Sequence, residues 1–475
     1  MTPIKDRPSG YGNHAIVIGG SMAGLLAGRV LADHFEQVTI IESDRFPEKP
    51  VPRKGVPQSS HLHILLTRGR MIIEKLFPGL QDELIAAGVP VLDMGADMPW
   101  LNGAGWTVRF QSGFNILTFS RDLLDWKIRR RLSAFTNVSF LEECKVTRLL
   151  SNSDGTSVTG VLVSFHNASA RSKQEELFAD LVVDASGRGS KAPQWLKALG
   201  YMPPAETTVD ASPGYASRIY DIPSGFEADW KGLYIQTSPP FRIRGGVLYP
   251  IEGNRWIVTV CGMMADYPPT DEAGFLEFVR SLPSPMIYDA IKDAMPRSPI
   301  FSYHAPGNRL RHYERLASQP EGFVVVGDAV CTFNPIYGQG MTTAGLGAIT
   351  LDQCLRELHQ QGNRSLPQRF QKKLSQVNRV PWLLATSQDS RYPRAKGKTP
   401  SYIERLMQSY LDRVTQLTTN NTSVCLVMFE VIHMLKPITA LFEPSIVFQV
   451  LKQALNFSSE RKVASSQSPQ YSQVN

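Results

Sequence analysis

A short apolar run, Ala15-Ile16-Val17-Ile18, opens directly into Gly19-Gly20-Ser21-Met22-Ala23-Gly24, and Leu25, Leu26, Val30 and Leu31 then recur at helical spacing. A β-branched run without polar alternation predicts a strand buried on both faces. A second such run, Val38-Thr39-Ile40-Ile41, ends at Glu42, eighteen residues past Gly24. The unit is therefore a β-α-β with a glycine turn between strand and helix and an acid at the tip of the second strand. Such a turn aims unpaired N–H groups and the positive end of the helix at a pyrophosphate, and the acid accepts from a ribose hydroxyl. Ser21 stands where the fingerprint has its middle glycine, and its small side chain still lets the backbone approach. Gly19, Gly20, Ser21, Ala23, Gly24 and Glu42 are the candidate binding residues. A glutamate suits an unphosphorylated ribose, so FAD or NAD is favoured over NADP at this position. The plainer alternative is a tight turn in some other α/β protein.

The rest of the chain bears on that choice. Val146 to Phe165 alternates about an Asn152-Ser153-Asp154-Gly155 turn, as a hairpin would, and Leu181-Val182-Val183 is another buried strand, closed by Asp184-Ala185-Ser186-Gly187. Between about 205 and 300 the texture changes. Leu233-Tyr234-Ile235, Gly246-Val247-Leu248-Tyr249 and Trp256-Ile257-Val258-Thr259-Val260 are separated by turns such as Glu252-Gly253-Asn254, which predicts an antiparallel sheet. Phe323-Val324-Val325-Val326 returns to the buried type and enters Gly327-Asp328. A helix begins near Gly340, and beyond Gln361 the chain reads as mostly helical.

The downstream segment Gly327-Asp328-Ala329, followed by Asn334-Pro335-Ile336-Tyr337-Gly338-Gln339-Gly340-Met341, narrows the chemistry. A strand that delivers an aspartate, followed by a Pro/Gly loop opening a helix, can hold a polyol and then an anion. Asp328 would accept from ribityl hydroxyls. Backbone N–H groups at Gly340 and Met341 would face the flavin N1/C2 edge, where negative charge collects on reduction. Pro335 and Gly338 shape that loop. Two separated motifs thus agree on FAD.

The chain resembles the class A FAD-dependent monooxygenases with the para-hydroxybenzoate hydroxylase-type fold. Within them it is most similar to the flavin-dependent polyene epoxidases of polyether biosynthesis. The shared stretches are Arg53-Lys54-Gly55-Val56-Pro57-Gln58, His61-Leu62-His63-Ile64-Leu65, Leu123-Leu124-Asp125-Trp126, Gly187-Arg188-Gly189-Ser190, Arg255 to Val260 and Ala385-Thr386-Ser387. The resemblance implies an α/β fold: a Rossmann-like three-layer FAD-binding domain (12–95, 120–204 and 301–365), an antiparallel-sheet substrate domain (96–119 and 205–300), a C-terminal helical region (366–460) and a polar tail (461–475). It further implies that Gly55 lies along the cofactor and that Arg121 reaches from a helix start towards the pyrophosphate. Arg53 is implied as a flavin-side contact. The implied reaction transfers one oxygen atom from O2 to a lipophilic secondary metabolite through a C4a-hydroperoxyflavin, with NAD(P)H as reductant and epoxidation favoured over hydroxylation. Asp184-Ala185-Ser186-Gly187 departs from the hydroxylases' usual Asp-Gly pair and leans away from them. The alternatives are a reductase of prenyl double bonds and a non-catalytic flavoprotein.

Other features carry less. The charge excess of 50 basic over 43 acidic residues, +7 across 475, is no nucleic-acid footprint. Five scattered cysteines, with no C-x-x-C, argue against a disulfide framework or a zinc site. No secretory segment and no spanning run is visible, so a cytoplasmic protein is expected. The apolar stretch Val424 to Leu451 could roof a hydrophobic tunnel, rest on a membrane surface, or pack against the FAD domain. His61 and His63 are spaced like a ligand pair but lack a signalled third ligand, and no metal is expected. Trp100, Trp106, Tyr249 and Trp256 fall in the expected substrate region. No paired carboxylates or His/Tyr constellation stands out in 205–300, which suits a substrate that needs no deprotonation.

Overall fold

The computed structural model describes residues 12–165, 173–304, 307–361, 365–397 and 399–466. The strand Gly12–Ile18 runs parallel to Phe35–Ile41 on one side and to Leu181–Asp184 on the other. Phe323–Val325 and Val138–Leu141 complete a five-stranded parallel sheet at its two edges. Ala15, Ile16, Val17, Val182 and Val183 are fully buried, as strands covered on both faces must be. Helix Met22–Leu31 lies against the first two strands and packs on helices Arg121–Leu132 and Gly340–Gln361. An antiparallel sheet (Cys144–Ser151, Val158–Phe165, Gln174–Phe178) forms the third layer. Leu25, Leu26, Ile128 and Leu351 from the helices, and Val146, Val161 and Val163 from the small sheet, join one core around the parallel strands. This is the three-layer α/β arrangement that the resemblance implied, built on the β-α-β unit of the N-terminal motif.

A second sheet of seven strands assembles from distant segments. Trp100–Asn102 and Gly105–Trp106 join Gly214–Asp221, Leu233–Ile235, Arg244–Ile251, Arg255–Gly262 and Phe301–His304. The last strand pairs with Gly214–Ser217, so the sheet extends past residue 300, where the sequence texture changes. The Glu252-Gly253-Asn254 turn closes the long hairpin, with Gly253 at φ 77° and Asn254 at φ 54°.

Helices Leu366–Asp389, Tyr402–Leu417, Thr422–Ile432 and Pro444–Ser466 follow. The last runs six residues into the stretch expected as a tail, and residues 467–475 of that stretch lie outside the described residues, as do 1–11. Thr422–Ile432 turns Cys425 and Phe429 onto Trp100, Tyr249 and Ile257 of the second sheet, while Val424 and Val431 meet Val414, Leu417 and Ile446 of the neighbouring helices. That helix therefore packs on the second sheet. No described helix is long and apolar enough to cross a membrane.

Two glycines make the first turn possible. Gly19 sits at φ 101°, a region that L side chains avoid, and a Cβ there would lie 2.7 Å from Ala185 O. Gly24 lets the helix approach the turn so closely that a Cβ would lie 1.7 Å from Gly19 O. Overpacking against backbone cannot be relieved by a rotamer change. Gly24→Ala is therefore expected to cost about 2 kcal/mol or more, read as a lower midpoint in denaturant unfolding, whereas Gly347→Ala, which meets only the Leu374 side chain at 3.5 Å, should be nearly neutral.

Candidate active site

Three parallel strands end at one edge of the sheet, and their turns form one wall of a cleft. Gly19 N donates to Ile41 O (2.8 Å), Ala185 N to Ile18 O (2.9 Å) and Val326 N to Asp184 O (2.9 Å), which locks the turns side by side. Ligand sites in open α/β sheets lie outside such carboxyl ends. A cavity of about 640 Å³ opens there and continues beneath the second sheet. Gly19, Gly20, Ser21, Ala23, Glu42, Gly55, Arg121, Asp328, Pro335, Gly338, Gly340 and Met341 all line it. Gly24 does not; its part is the close helix packing described above.

At one end Glu42, 8% exposed, accepts from Gly20 N at 3.0 Å. Arg53 pairs with the same carboxylate at 3.0 Å, donates to Gly20 O at 2.9 Å and stacks over Phe46. Arg53 thus stands at the Glu42 end rather than the flavin side implied for it. The strand leading to Asp328 is three strands away from that leading to Glu42, roughly 14 Å at ordinary sheet spacing. The cause is local, because the 53–58 loop follows the second strand and folds back on its tip. Gly55 is held beside it through its N–H to Asp44 Oδ2 (2.5 Å).

In the middle, Ser21 leaves the helix start uncapped, so the first-turn N–H groups of Met22–Leu31 have no intrahelical acceptor. Arg121 brings a cation to that point. Its Nη2 donates to Ser21 Oγ (3.3 Å) and its Nε pairs with Asp125 Oδ1 (2.8 Å). Ser120, which caps the Arg121–Leu132 helix, is itself held by Glu252 from the second sheet's hairpin turn (Ser120 N to Oε2, 3.1 Å). Asp184 faces inward instead. It is fully buried, accepts from Ser186 N (2.9 Å), Ser186 Oγ (2.5 Å) and Ser190 Oγ (2.6 Å), and so shapes the 185–189 turn whose residues line the cleft.

Further along, burial raises the Asp328 carboxyl above its ordinary range, while Arg121, Arg188 and Arg309 pull it back. The loop Pro335–Tyr337 ends in Gly338 at φ 62° and runs into the Gly340–Gln361 helix. A Cβ on Gly340 would meet nothing within 4 Å. Gln339, which lines the cavity, has its Oε1 buried there without a hydrogen-bond partner. Open space and an unspent polar group coincide at this helix start, as a site built for a polar ligand requires.

Past that loop the cavity becomes a chamber of Leu62, Ile64, Ile235, Val247 and Ile336 with Tyr215, Tyr234 and Tyr303. Of the four aromatics in this region, most of them expected as core, none lines it. Trp100 stacks on Tyr234 and Phe429, Trp256 packs with Phe226 and Trp230, Tyr249 is buried in the core, and Trp106 is exposed. Trp256 alternates to the opposite face of the sheet and Trp106 lies at its edge, while Trp100 and Tyr249 share the face of Tyr234 and Val247 but are taken up in packing with Phe429 of the Thr422–Ile432 helix. Burial raises the hydroxyls of Tyr215, Tyr234 and Tyr303, so none is a ready base.

His61 and His63 both line the cavity. His61 Nδ1 meets Ser217 Oγ at 2.7 Å, and Ser217 meets Thr259 Oγ1 at 2.6 Å; Leu62 N donates to the same Thr259 oxygen at 3.0 Å. This seam stitches the 57–65 loop to the second sheet. Burial lowers His61 to about 4, and burial and then Arg121 lower His63 to about 3, so both are neutral at pH 7. Among the described residues no set of three or more His, Cys, Asp or Glu gathers as a metal site. Cys331 is buried and its thiol is pushed well up, which fits a packing role.

No protein-family model matches the chain. Protein Rv3254 of Mycobacterium tuberculosis is 35% identical over 392 residues, which cover 81% of this chain and 82% of that one. Among solved structures, the flavoprotein/dehydrogenase from Cytophaga hutchinsonii superposes with a TM-score of 0.65 at 15% identity, covering 94% of this chain and 100% of that one. The p-nitrophenol 4-monooxygenase PnpA from Pseudomonas putida gives 0.58 at 16% identity, covering 89% and 98%. The flavin-dependent brominase Bmp2 gives 0.58 at 17% identity, covering 88% and 97%. At these identities the likeness is one of fold: the chain has the fold of FAD-dependent monooxygenases and flavin-dependent halogenases.

The neutral imidazoles carry a pH signature. A folded pKa below the unfolded value means that the native state binds fewer protons, so stability is lost as pH falls from about 6.5 towards the folded value. Asp122 and Asp389, raised by burial to about 6, act in the opposite sense. The test is therefore the difference between His61→Gln and wild type. The variant should lose about 2 kcal/mol less stability than wild type between pH 7 and pH 5, measured by denaturant unfolding at each pH.

Proposed function

The chain belongs to one family with Protein Rv3254, and we propose that it is a FAD-dependent monooxygenase acting on a lipophilic substrate, with epoxidation of an alkene favoured. The observation that carries the reading is continuity. One cavity holds the glycine turn with Glu42, the cation Arg121, the carboxylate Asp328 and the Pro335–Met341 helix start, and it runs on into an apolar chamber without a dividing wall. The donor and acceptor set fits FAD part by part. Glu42 would accept from the adenosine ribose, Arg121 and the first turn of Met22–Leu31 would meet the pyrophosphate, and Asp328 would accept from the ribityl chain. The N–H groups of Gly340 and Met341 would face the pyrimidine edge, with the unpartnered Gln339 Oε1 close by in sequence.

Bound there and reduced by NAD(P)H, FAD supplies oxygen activation for transfer to carbon. The protein's share is to position, to dry and to exclude. Leu62, Ile64, Ile235, Val247 and Ile336 keep water from the chamber, and its tyrosines stay protonated. An alkene needs no base to attack an electrophilic oxygen, whereas a phenol gains from one. The similarity to polyene epoxidases in the 53–65 loop and at 385–387 supports the same choice.

Asp328→Ala is expected to purify folded and without bound flavin; a variant that keeps wild-type flavin content would remove Asp328 from the site. For the reaction, flavin-loaded protein with NADPH, labelled O2 and a set of long-chain alkenes should give product carrying one labelled oxygen atom by mass spectrometry. Product that gains two hydrogens and no label would replace the monooxygenase reading with the reductase.

A further inference from the structure

Behind the Pro335–Gly338 loop lies a polar cluster drawn from five separate segments, two of whose members, Asn334 and Tyr215, also line the cavity. Asp389, the last residue of the Leu366–Asp389 helix, is fully buried. Its carboxylate accepts from Tyr337 Oη (2.6 Å), from Asn308 Nδ2 (2.7 Å) and from Asn334 Nδ2 (3.1 and 3.2 Å to its two oxygens). Asn308 in turn fixes the loop's entry, accepting from Asn334 N at 2.8 Å and donating to Val209 O at 3.1 Å. Tyr215 reaches in from the chamber side. Its hydroxyl donates to Asn334 Oδ1 and accepts from Ile336 N at 3.1 Å. Asn308 and Asn334 are both at most 1% exposed.

This cluster is an odd thing to bury. A carboxylate taken out of water without a cation is costly, and well-packed apolar residues would hold two helices and a loop together as well. Burial raises the Asp389 pKa to about 6; hydrogen bonds from Tyr337, Asn334 and Asn308 lower it, and the nearby Asp210 charge pushes it further up. What a charge achieves and a leucine cannot is to fix three donors in one arrangement. Two of those donors belong to Asn334 and Tyr337, which flank Pro335 and Ile336 of the cavity wall. The third residue, Asn308, holds the backbone of Asn334. The tethers of Asn334 and Tyr337 thus lead to Asp389 directly or through Asn308, while Asn334, Pro335, Ile336 and Gly338 line the cavity.

We propose that Asp389 is a positioning residue for the cofactor: its carboxylate sets the Asn334–Gly338 loop, and through it the Gly340 helix start, in the shape that holds the flavin ring edge, and Tyr215 ties that shape to the substrate chamber. The inference rests on the flavin reading above and deepens it. It assigns to the Leu366–Asp389 helix, which lies outside both cofactor motifs, a role in where the flavin lies. It also gives Tyr215, which lines the chamber and bonds both Asn334 Oδ1 and Ile336 N, a place where a substrate displacing it would loosen both together.

The test uses the full chain and compares wild type with Asp389→Asn and Tyr337→Phe. FAD affinity is read by titration of the flavin-free protein, the flavin midpoint potential by dye equilibration, and folding by thermal melting without flavin. Asp389→Asn should raise the FAD dissociation constant at least tenfold and move the midpoint potential to a more positive value, because a buried negative charge near the ring is removed. Tyr337→Phe keeps the carboxylate and loses one tether, so it should weaken FAD binding severalfold and leave the potential nearer wild type. If Asp389→Asn does not fold, Tyr337→Phe decides by the same affinity measurement. Variants that melt lower yet match wild type in FAD affinity and potential would overturn the assignment and leave the cluster a fold-stabilising one. A wild-type chain that takes up no FAD would overturn the flavin reading along with it.

Discussion

The cleft depends on one constraint: three turns, from residues 19, 185 and 326, must end level at the same sheet edge. The backbone bonds Gly19 N to Ile41 O, Ala185 N to Ile18 O and Val326 N to Asp184 O impose that register. Parallel pairing makes it possible, since all carboxyl ends then point one way and the helix starts that follow add their positive ends there. Glycine makes it tight. With a Cβ at Gly24 only 1.7 Å from Gly19 O, the helix could not follow the strand at this distance. Everything that lines the cleft is placed relative to these three turns.

The second sheet is held to this edge by polar seams rather than by a shared core. Its hydrophobic residues form clusters of their own, separate from the one around the parallel sheet. The ties across the boundary are Glu252 to Ser120, His61 to Ser217, Leu62 to Thr259 and Tyr215 to the Asn334 loop. Apolar surface is therefore left facing the cavity instead of being consumed between the two sheets, and a lipophilic molecule can use it. Burial at this boundary keeps the imidazoles neutral and the tyrosines protonated, which suits a chamber that orients a substrate and leaves the demanding chemistry to a cofactor.

Much of this was legible from residues alone. The β-α-β unit and the buried strands at 181 and 323 follow from short β-branched runs, which have few alternatives as structure. Glu42, Asp328 and Met341 reach one cavity as their motifs implied, because each motif is a local strand-to-turn or turn-to-helix signal that the fold repeats at one edge, and Arg121, implied by the resemblance, lines the same cavity. Arg53 went to the Glu42 end because loop direction is not encoded in spacing. Trp100, Tyr249 and Trp256 are core, as most of that set was expected to be, and only the packing partners decide which positions on a strand's face stay open: Trp100 and Tyr249 share the chamber's face but lie in one cluster with Phe429. Asp389, Asn308 and Tyr215 carried no signal at all, being single polar residues separated by up to 174 positions whose meaning appears only on contact.

By itself, then, the sequence determined the layer architecture, the order of its strands' chemistry and the kind of group that could sit at their ends. These are properties of short stretches, written in hydrophobic period and in glycine, and they do not need the rest of the chain. Tertiary structure alone decided which faces look into the cavity, which histidines lose their charge, and that a carboxylate near the end of a C-terminal helix is wrapped around the loop at the cofactor edge. Those are matters of burial and of distance between remote segments, and both exist only once the chain has closed on itself.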